Sequence, residues 1–203
     1  MLDSKIRAHW DRYMKPVGRG LGRMGLTPNA VTLSGVLFQV AVAALILQGK
    51  LLVAGLVAIV AALADGMDGA VAKATGSRSD FGAVLDSTTD RLAEALYYLP
   101  IAWLYGVAPD VSERDEPWVA ALAMSAMVLA FLVSYIRARA ESLGLDAKVG
   151  IAERAERAII LIAGLILDLV PLSLILLASA SAVTFLQRLV HVRRQAVVPR
   201  GER

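Results

Sequence analysis

Asp65-Gly-Met-Asp68-Gly69-Ala-Val-Ala72-Lys73 and, after an interval of eight residues, Gly82-Ala-Val-Leu-Asp86-Ser-Thr-Thr-Asp90 form the stretch that organises this chain. It sets four carboxylates at the edges of runs as apolar as any in the protein, and Leu51 to Ala64, just before it, carries no charged residue. Ionisable groups at membrane depth are costly and mark function by default. Asp65 and Asp68 are three apart and Asp86 and Asp90 four apart, so on helices each pair shares a face. Facing each other across a helix pair, the four make a dense all-oxygen site that repels itself unless cations fill it. Hard oxygen ligands suit Mg²⁺ or Mn²⁺, and Mg²⁺ is usually held by a few carboxylates together with substrate phosphates. Gly69 and Gly82 leave backbone open to close approach by a ligand. Helix caps or solvated helix ends account readily for one such Asp, and poorly for four paired at helical spacing and framed by glycines.

The rest of the composition agrees with a membrane setting. Of 203 residues, 57% are hydrophobic and only 19% charged, too apolar a balance for an ordinary soluble domain, and the charges gather at segment ends. With no cysteine, disulfides and thiolate metal sites are excluded. The two histidines, His9 and His191, lie near the termini, which argues against a histidine-based metal site or triad. The net charge of +3 is read as a record of membrane orientation, with no nucleic-acid partner expected.

Taken in order, residues 1–25 read as a basic amphipathic helix lying at the membrane interface, with Leu2, Ile6, Trp10, Tyr13, Met14, Val17 and Leu21 at three- and four-residue steps. Thr27-Pro28-Asn29 starts the next helix. Residues 26–195 then read as six transmembrane helices: Asn29 to Gln48; Leu51 to about Lys73; about Phe81 to Gly106; Pro117 to about Ala140; and Ile159 to Leu186, which is too long for one span and fits two helices turning near Pro171. Residues 137–157 form a charge-rich segment, and the chain from Gln187 on is basic, with 196–203 as its tail. The expected fold class is an all-α, multi-pass integral membrane protein of one domain over 1–203. With six spans, the basic segments share one side and the acidic 107–116 loop falls on the other. Positive-inside then puts both termini and the Asp cluster on the cytoplasmic side of the cell membrane.

The motif resembles the signature of the CDP-alcohol phosphotransferases, integral membrane enzymes with the pattern D-x-x-D-G-x-x-A-R, eight residues, then G-x-x-x-D-x-x-x-D. Asp65, Asp68, Gly69, Ala72, Gly82, Asp86 and Asp90 match at the right spacing, and Lys73 stands where the family usually has Arg. Lys keeps the charge and lacks the bidentate fork of a guanidinium. The resemblance implies displacement of CMP from a CDP-linked lipid, such as CDP-diacylglycerol, by the hydroxyl of a second alcohol. It implies two Mg²⁺ ions (Mn²⁺ is the alternative) on Asp65, Asp68, Asp86 and Asp90, with Asp90 also the general base. It further implies CDP-lipid contacts at Gly69, Lys73, Ser79 and the turn Asn29, Ala30, Val31 and Thr32, and a homodimer.

Ser134-Tyr135-Ile-Arg137-Ala-Arg139-Ala-Glu141 and Gly150-Ile-Ala-Glu153-Arg154-Ala-Glu156-Arg157 look like the phosphatidylinositol phosphate synthases of actinobacteria and their archaeal counterparts. That likeness implies inositol 1-phosphate as acceptor, its phosphate held by Arg137, Arg157 and Arg188. Three cations from three helices suit a dianion. Plain positive-inside charge, with helix pairing such as Glu153 to Arg157, is the competing account of these arginines. Two other functions stay open on the sequence: the same chemistry with another phosphorylated acceptor such as glycerol 3-phosphate, and an ion-coupled transporter.

Overall fold

The structure is a computed structural model that describes residues 16, 18–25, 27–65, 67, 70–72, 76, 79–108 and 116–197, with Asp65 described by its backbone alone. Most of the expected N-terminal amphipathic helix, most of the acidic loop and the chain after 197 therefore lie outside the described residues. Residues 18–23 are helical, and no strand occurs among the described residues. The main elements are α1 (Pro28–Leu47), α2 (Leu51–Asp65), α3 (Asp80–Gly106), α4 (Pro117–Ser142), α5 (Arg154–Ile166) and α6 (Val170–Val197).

Local chemistry sets the ends of these helices. Thr27 caps α1 by accepting from the Ala30 N–H at 3.2 Å, with Pro28 pre-set for the first turn. Gly49, at φ 70°, reverses the chain after α1, and the Lys50 N–H closes the turn on the Leu45 carbonyl at 3.0 Å. Ser79 caps α3 by accepting from the Gly82 N–H at 3.0 Å, and Asp80 adds a favourable charge at the positive end of the dipole. The turn between α5 and α6 is made by Asp168, a non-glycine residue at φ 55°. There a Cβ on Gly164 would overlap the Ser173 hydroxyl, so α5 and α6 approach too closely for any side chain at that position.

Each of the six helices packs against two others, and the pairs close a ring in the order α1, α2, α5, α6, α4, α3 and back to α1. The main apolar core gathers Val42 and Ile46 of α1, Leu51 and Ala54 of α2, Ile101 and Leu104 of α3, Val119 and Ala123 of α4, Leu165 of α5 and Leu174 of α6. It joins the C-terminal ends of α1, α3 and α5 to the N-terminal ends of the other three, so successive helices run antiparallel. The ring thus has a dry half at one end. The other end holds Asp86, Asp90 and the buried Arg157, Thr184 and Arg188.

Large apolar side chains also face outward, among them Leu37, Leu56, Val60, Val128, Leu176 and Val183. Helices apolar all round suit lipid rather than water. By length and composition, α1, α4 and α6 are long and apolar enough to cross a membrane. The two helices expected from Ile159 to Leu186 are α5 and α6, but α5 starts at Arg154, inside the charge-rich segment, and has 13 residues. At 1.5 Å per residue it reaches about 20 Å, well short of a bilayer core. α6 continues to Val197, so Arg188, Arg193 and Arg194, read from sequence as the start of a basic extension, lie on a helix. Arginine is a good helix former, so charge alone does not end the helix.

Candidate active site

On α3 the acidic pattern continues beyond the motif. Asp86, Asp90 and Glu94 follow at four-residue steps, and Tyr98 comes one turn deeper, 2% exposed and within electrostatic reach of Glu94. Asp86 is exposed, and the Asp90 and Glu94 side chains are mostly shielded. Asp65 ends α2; its side chain, with Asp68, Gly69 and Lys73, is outside the described residues. Asp86 and Asp90, one turn apart and offering only oxygen donors, suit a hard divalent cation, though two Asp do not by themselves complete a ligand set. Among the described residues there is no group of three or more such ligands.

Asp90 Oδ1 meets Nη2 of Arg154, the first residue of α5, at 2.8 Å, while Arg91 approaches its other oxygen at 3.5 Å. Arg157, one turn further along α5 and 3% exposed, donates through Nε and Nη2 to Oε1 of Glu94 and through Nη1 to the Ala152 carbonyl at 2.9 Å. α3 and α5 are not neighbours in the ring. These two ion pairs therefore bridge its polar half with side chains alone. The Glu153–Arg157 side-chain pairing suggested by helical spacing is replaced by two others: Arg157 turns to Glu94, and Glu153 faces Arg188 at 3.6 Å.

Arg188, on α6 and 2% exposed, donates to the Val133 carbonyl of α4 at 2.7 Å and to the Val149 carbonyl at 2.8 Å. It also lies within electrostatic reach of Arg137 and Arg157. Arg137, more open, pairs with Glu141 at 3.0 Å. The three arginines named from sequence are thus gathered at one end of the ring, each with a carboxylate partner.

The segment between α4 and α5 is tied along α6. Thr184 Oγ1 accepts from the Ile151 and Ala152 N–H groups at 3.2 and 3.0 Å, and Gln195 bonds both backbone groups of Asp146. Gly150, at φ 134°, lies where any Cβ would overlap the Thr184 methyl. These ties hold the start of α5, and with it Arg154 and Arg157, in place.

Asn29, Ala30, Val31 and Thr32 occupy the first turns of α1, beside the start of α3: a Cβ on Gly82 would come within 3.6 Å of Asn29 Oδ1 and 3.1 Å of Ser79 Oγ. Ser79 also serves as the α3 cap. Sequence reasoning missed three residues of this end. Glu94 had a readable signal in its four-residue step from Asp90. Arg154 and Thr184 had none, because their partners are chosen by how the helices assemble.

The model of the CDP-alcohol phosphatidyltransferase family matches residues 25–186, and the chain belongs to that family. It is accordingly a transferase of phospholipid synthesis. Among its relatives, the archaetidylinositol phosphate synthase of Pyrococcus horikoshii is 35% identical over 194 residues, covering 95% of this chain and 97% of the relative. The phosphatidylinositol phosphate synthase of Mycobacterium tuberculosis is 36% identical over 214 aligned positions, covering 97% of this chain and 96% of that one. Crystal structures of that synthase superpose on this fold. The form with CDP-DAG bound has a TM-score of 0.81 at 36% identity, covering 89% of this chain and 94% of that one. The complex with manganese and citrate has a TM-score of 0.83 at 33% identity, covering 92% of each.

Proposed function

We propose that this chain transfers the phosphatidyl group of CDP-diacylglycerol to inositol 1-phosphate, releasing CMP and forming phosphatidylinositol phosphate. The observation that carries the choice of acceptor is the grouping of Arg137, Arg157 and Arg188, from three helices, at the same end of the ring as Asp90. Two of them are almost wholly buried, an expensive arrangement that a phosphate dianion would reward. The names of the relatives agree with this acceptor.

Asp65, Asp68, Asp86 and Asp90 hold the divalent cations, Mg²⁺ or Mn²⁺, and a manganese complex of the mycobacterial relative supports that choice. When bound, such ions neutralise charge on the pyrophosphate as CMP departs. Gly69, Lys73, Ser79 and the Asn29 to Thr32 turn receive the CDP-lipid. The arginines hold the acceptor's phosphate, and Asp90 takes the proton from the attacking hydroxyl at a carboxylate oxygen. The new bond forms between that hydroxyl oxygen and the lipid-bearing phosphorus. The bond from that phosphorus to the CMP oxygen breaks, and CMP leaves with the electron pair. Arg154, reaching across the ring from α5, orients Asp90.

In this reading the chain is a single-domain, multi-pass protein of the cell membrane. Six segments cross, the short α5 doing so only together with the 143–153 stretch that leads into it, the N-terminal helix lies on the membrane, both termini and the site face the cytoplasm, and the protein is a homodimer. The deciding experiment measures CMP release by purified protein with CDP-diacylglycerol and Mg²⁺ against a panel of acceptors. Inositol 1-phosphate should give the highest kcat/KM. A higher value for glycerol 3-phosphate would reject the acceptor, and activity only with free inositol would reject the role of the arginines.

A further inference from the structure

We infer that the three glutamates paired with these arginines have two opposite roles: Glu94 is a permanent positioning partner of Arg157, and Glu153 is a stand-in that the acceptor's phosphate displaces from Arg188. The inference rests on the reading of the arginines as the acceptor site.

The difference lies in burial and geometry. The Glu94 side chain is 12% exposed, deep on α3, and one of its oxygens takes two N–H groups of Arg157. With the Ala152 carbonyl, this occupies three of the five guanidinium donors. The two remaining N–H groups sit on Nη1 and Nη2, and the three contacts hold the guanidinium plane. Glu94 is held further by Arg91, which approaches its other oxygen at 3.7 Å. If it let go, it would strand a shielded carboxylate, so a phosphate gains nothing by displacing it.

Glu153 contrasts at each point. Its side chain is 41% exposed, and its approach to Arg188 is 3.6 Å, longer than a hydrogen bond. Arg188 is already oriented by two carbonyls, of Val133 and Val149, and does not depend on Glu153 for its position. Glu153 stands at the cap position of α5 without making a side-chain cap bond, so its carboxylate is not required to start that helix. It partly neutralises a buried cation while the site is empty and swings to solvent when a better anion arrives. Glu141, 47% exposed beside Arg137, is of the same kind.

The two roles predict effects of opposite sign. Purified full-length protein is assayed for CMP release with Mg²⁺, CDP-diacylglycerol and inositol 1-phosphate. Glu94→Gln, which loosens the hold on Arg157, should raise the acceptor KM on the order of tenfold, leaving the CDP-lipid KM little changed. Glu94→Asp should recover part of that loss. Glu153→Gln removes a weak competitor and should lower the acceptor KM by about two- to fivefold. Melting temperature and CDP-lipid KM report whether each variant is folded, and Glu94→Asp serves as the milder probe if Glu94→Gln is not. Arg157→Lys, which keeps the charge and loses the fork, is the reference. If it leaves the acceptor KM unchanged, the acceptor-site reading itself fails. If it raises that KM while Glu94→Gln does not, the site stands and the role of Glu94 is overturned. A Glu153→Gln enzyme with a raised acceptor KM overturns the displacement role.

Discussion

Breaking the Arg157–Glu94 pair separates what Arg157 does for the fold from what it does for a substrate. Arg157 is 3% exposed, and the Glu94 side chain is 12% exposed. In Arg157→Met the alkyl bulk remains, but Glu94 keeps its charge with its hydrogen-bonding cation gone and only Arg91, 3.7 Å from its other oxygen, still near. Removing one member of a buried pair costs about 3–5 kcal/mol, mostly from the charge left behind. At 2–4 °C per kcal/mol for a chain of this size, the melting temperature should fall by roughly 6–20 °C. Adding Glu94→Gln removes the stranded charge and should restore most of that loss, because a buried pair is worth little relative to neutral residues of similar shape. The acceptor KM should not recover with it, since no guanidinium returns. Thermal unfolding in detergent and CMP release on the same preparations give both numbers. A fall below about 1 kcal/mol in the single variant would mean that the pair is not shielded as described. Recovery of the acceptor KM in the double variant would refute a direct role for Arg157 at the acceptor.

Other outcomes follow from other parts of the molecule. Each of Asp65→Asn, Asp68→Asn, Asp86→Asn and Asp90→Asn should lose nearly all turnover, several kcal/mol or about a thousandfold, and excess chelator should stop the unmodified enzyme. An active Asp90→Asn enzyme would remove the proton-accepting role from that residue. Thr184→Val keeps the shape but strands the Ile151 and Ala152 N–H groups, at about 1–3 kcal/mol for each truly buried donor. Only the Ala152 N–H is fully buried, so the melting temperature should fall by at least about 2 °C, and an unchanged value would show that the segment is not held by that hydroxyl. Ser112→Cys, in a chain without native cysteine, should be labelled by an impermeant thiol reagent only from outside the cell. Labelling only from the cytoplasmic side would reverse the proposed topology.

Legibility from sequence divides along a physical line. Features written in adjacent residues were readable: the Thr27-Pro28 start, the all-helical character, and the sharing of a face by Asp86 and Asp90. Each depends on contacts within one or two turns. The α5 boundary was misread because Arg154 to Arg157 looks like loop composition, whereas in the fold these residues form the first turn of a helix whose charges have partners across the ring. Pairings were the least readable. Helical spacing favoured Glu153 for Arg157, a contact worth a few tenths of a kcal/mol on an exposed helix. Ring assembly offers Glu94 instead, in a shielded setting where the same charges interact far more strongly.

The two halves of the ring explain why its charged residues sit where they do. In the dry half, alanines at 54, 58, 123, 126 and 130 let helices close on one another, and the core fills with Ile101, Leu104, Leu165 and Leu174. In the polar half, α3 and α5 stand too far apart to pack, and the gap is crossed by arginines reaching carboxylates. Apolar side chains of equal length would fill the same gap more stably and leave no room for charged substrates. Long cations on the far helix tie the two walls together without direct helix packing. That same choice puts the guanidinium of Arg154 beside Asp90 and that of Arg157 beside Glu94; under the proposed function, the phosphorylated alcohol and the pyrophosphate are thereby drawn to one place.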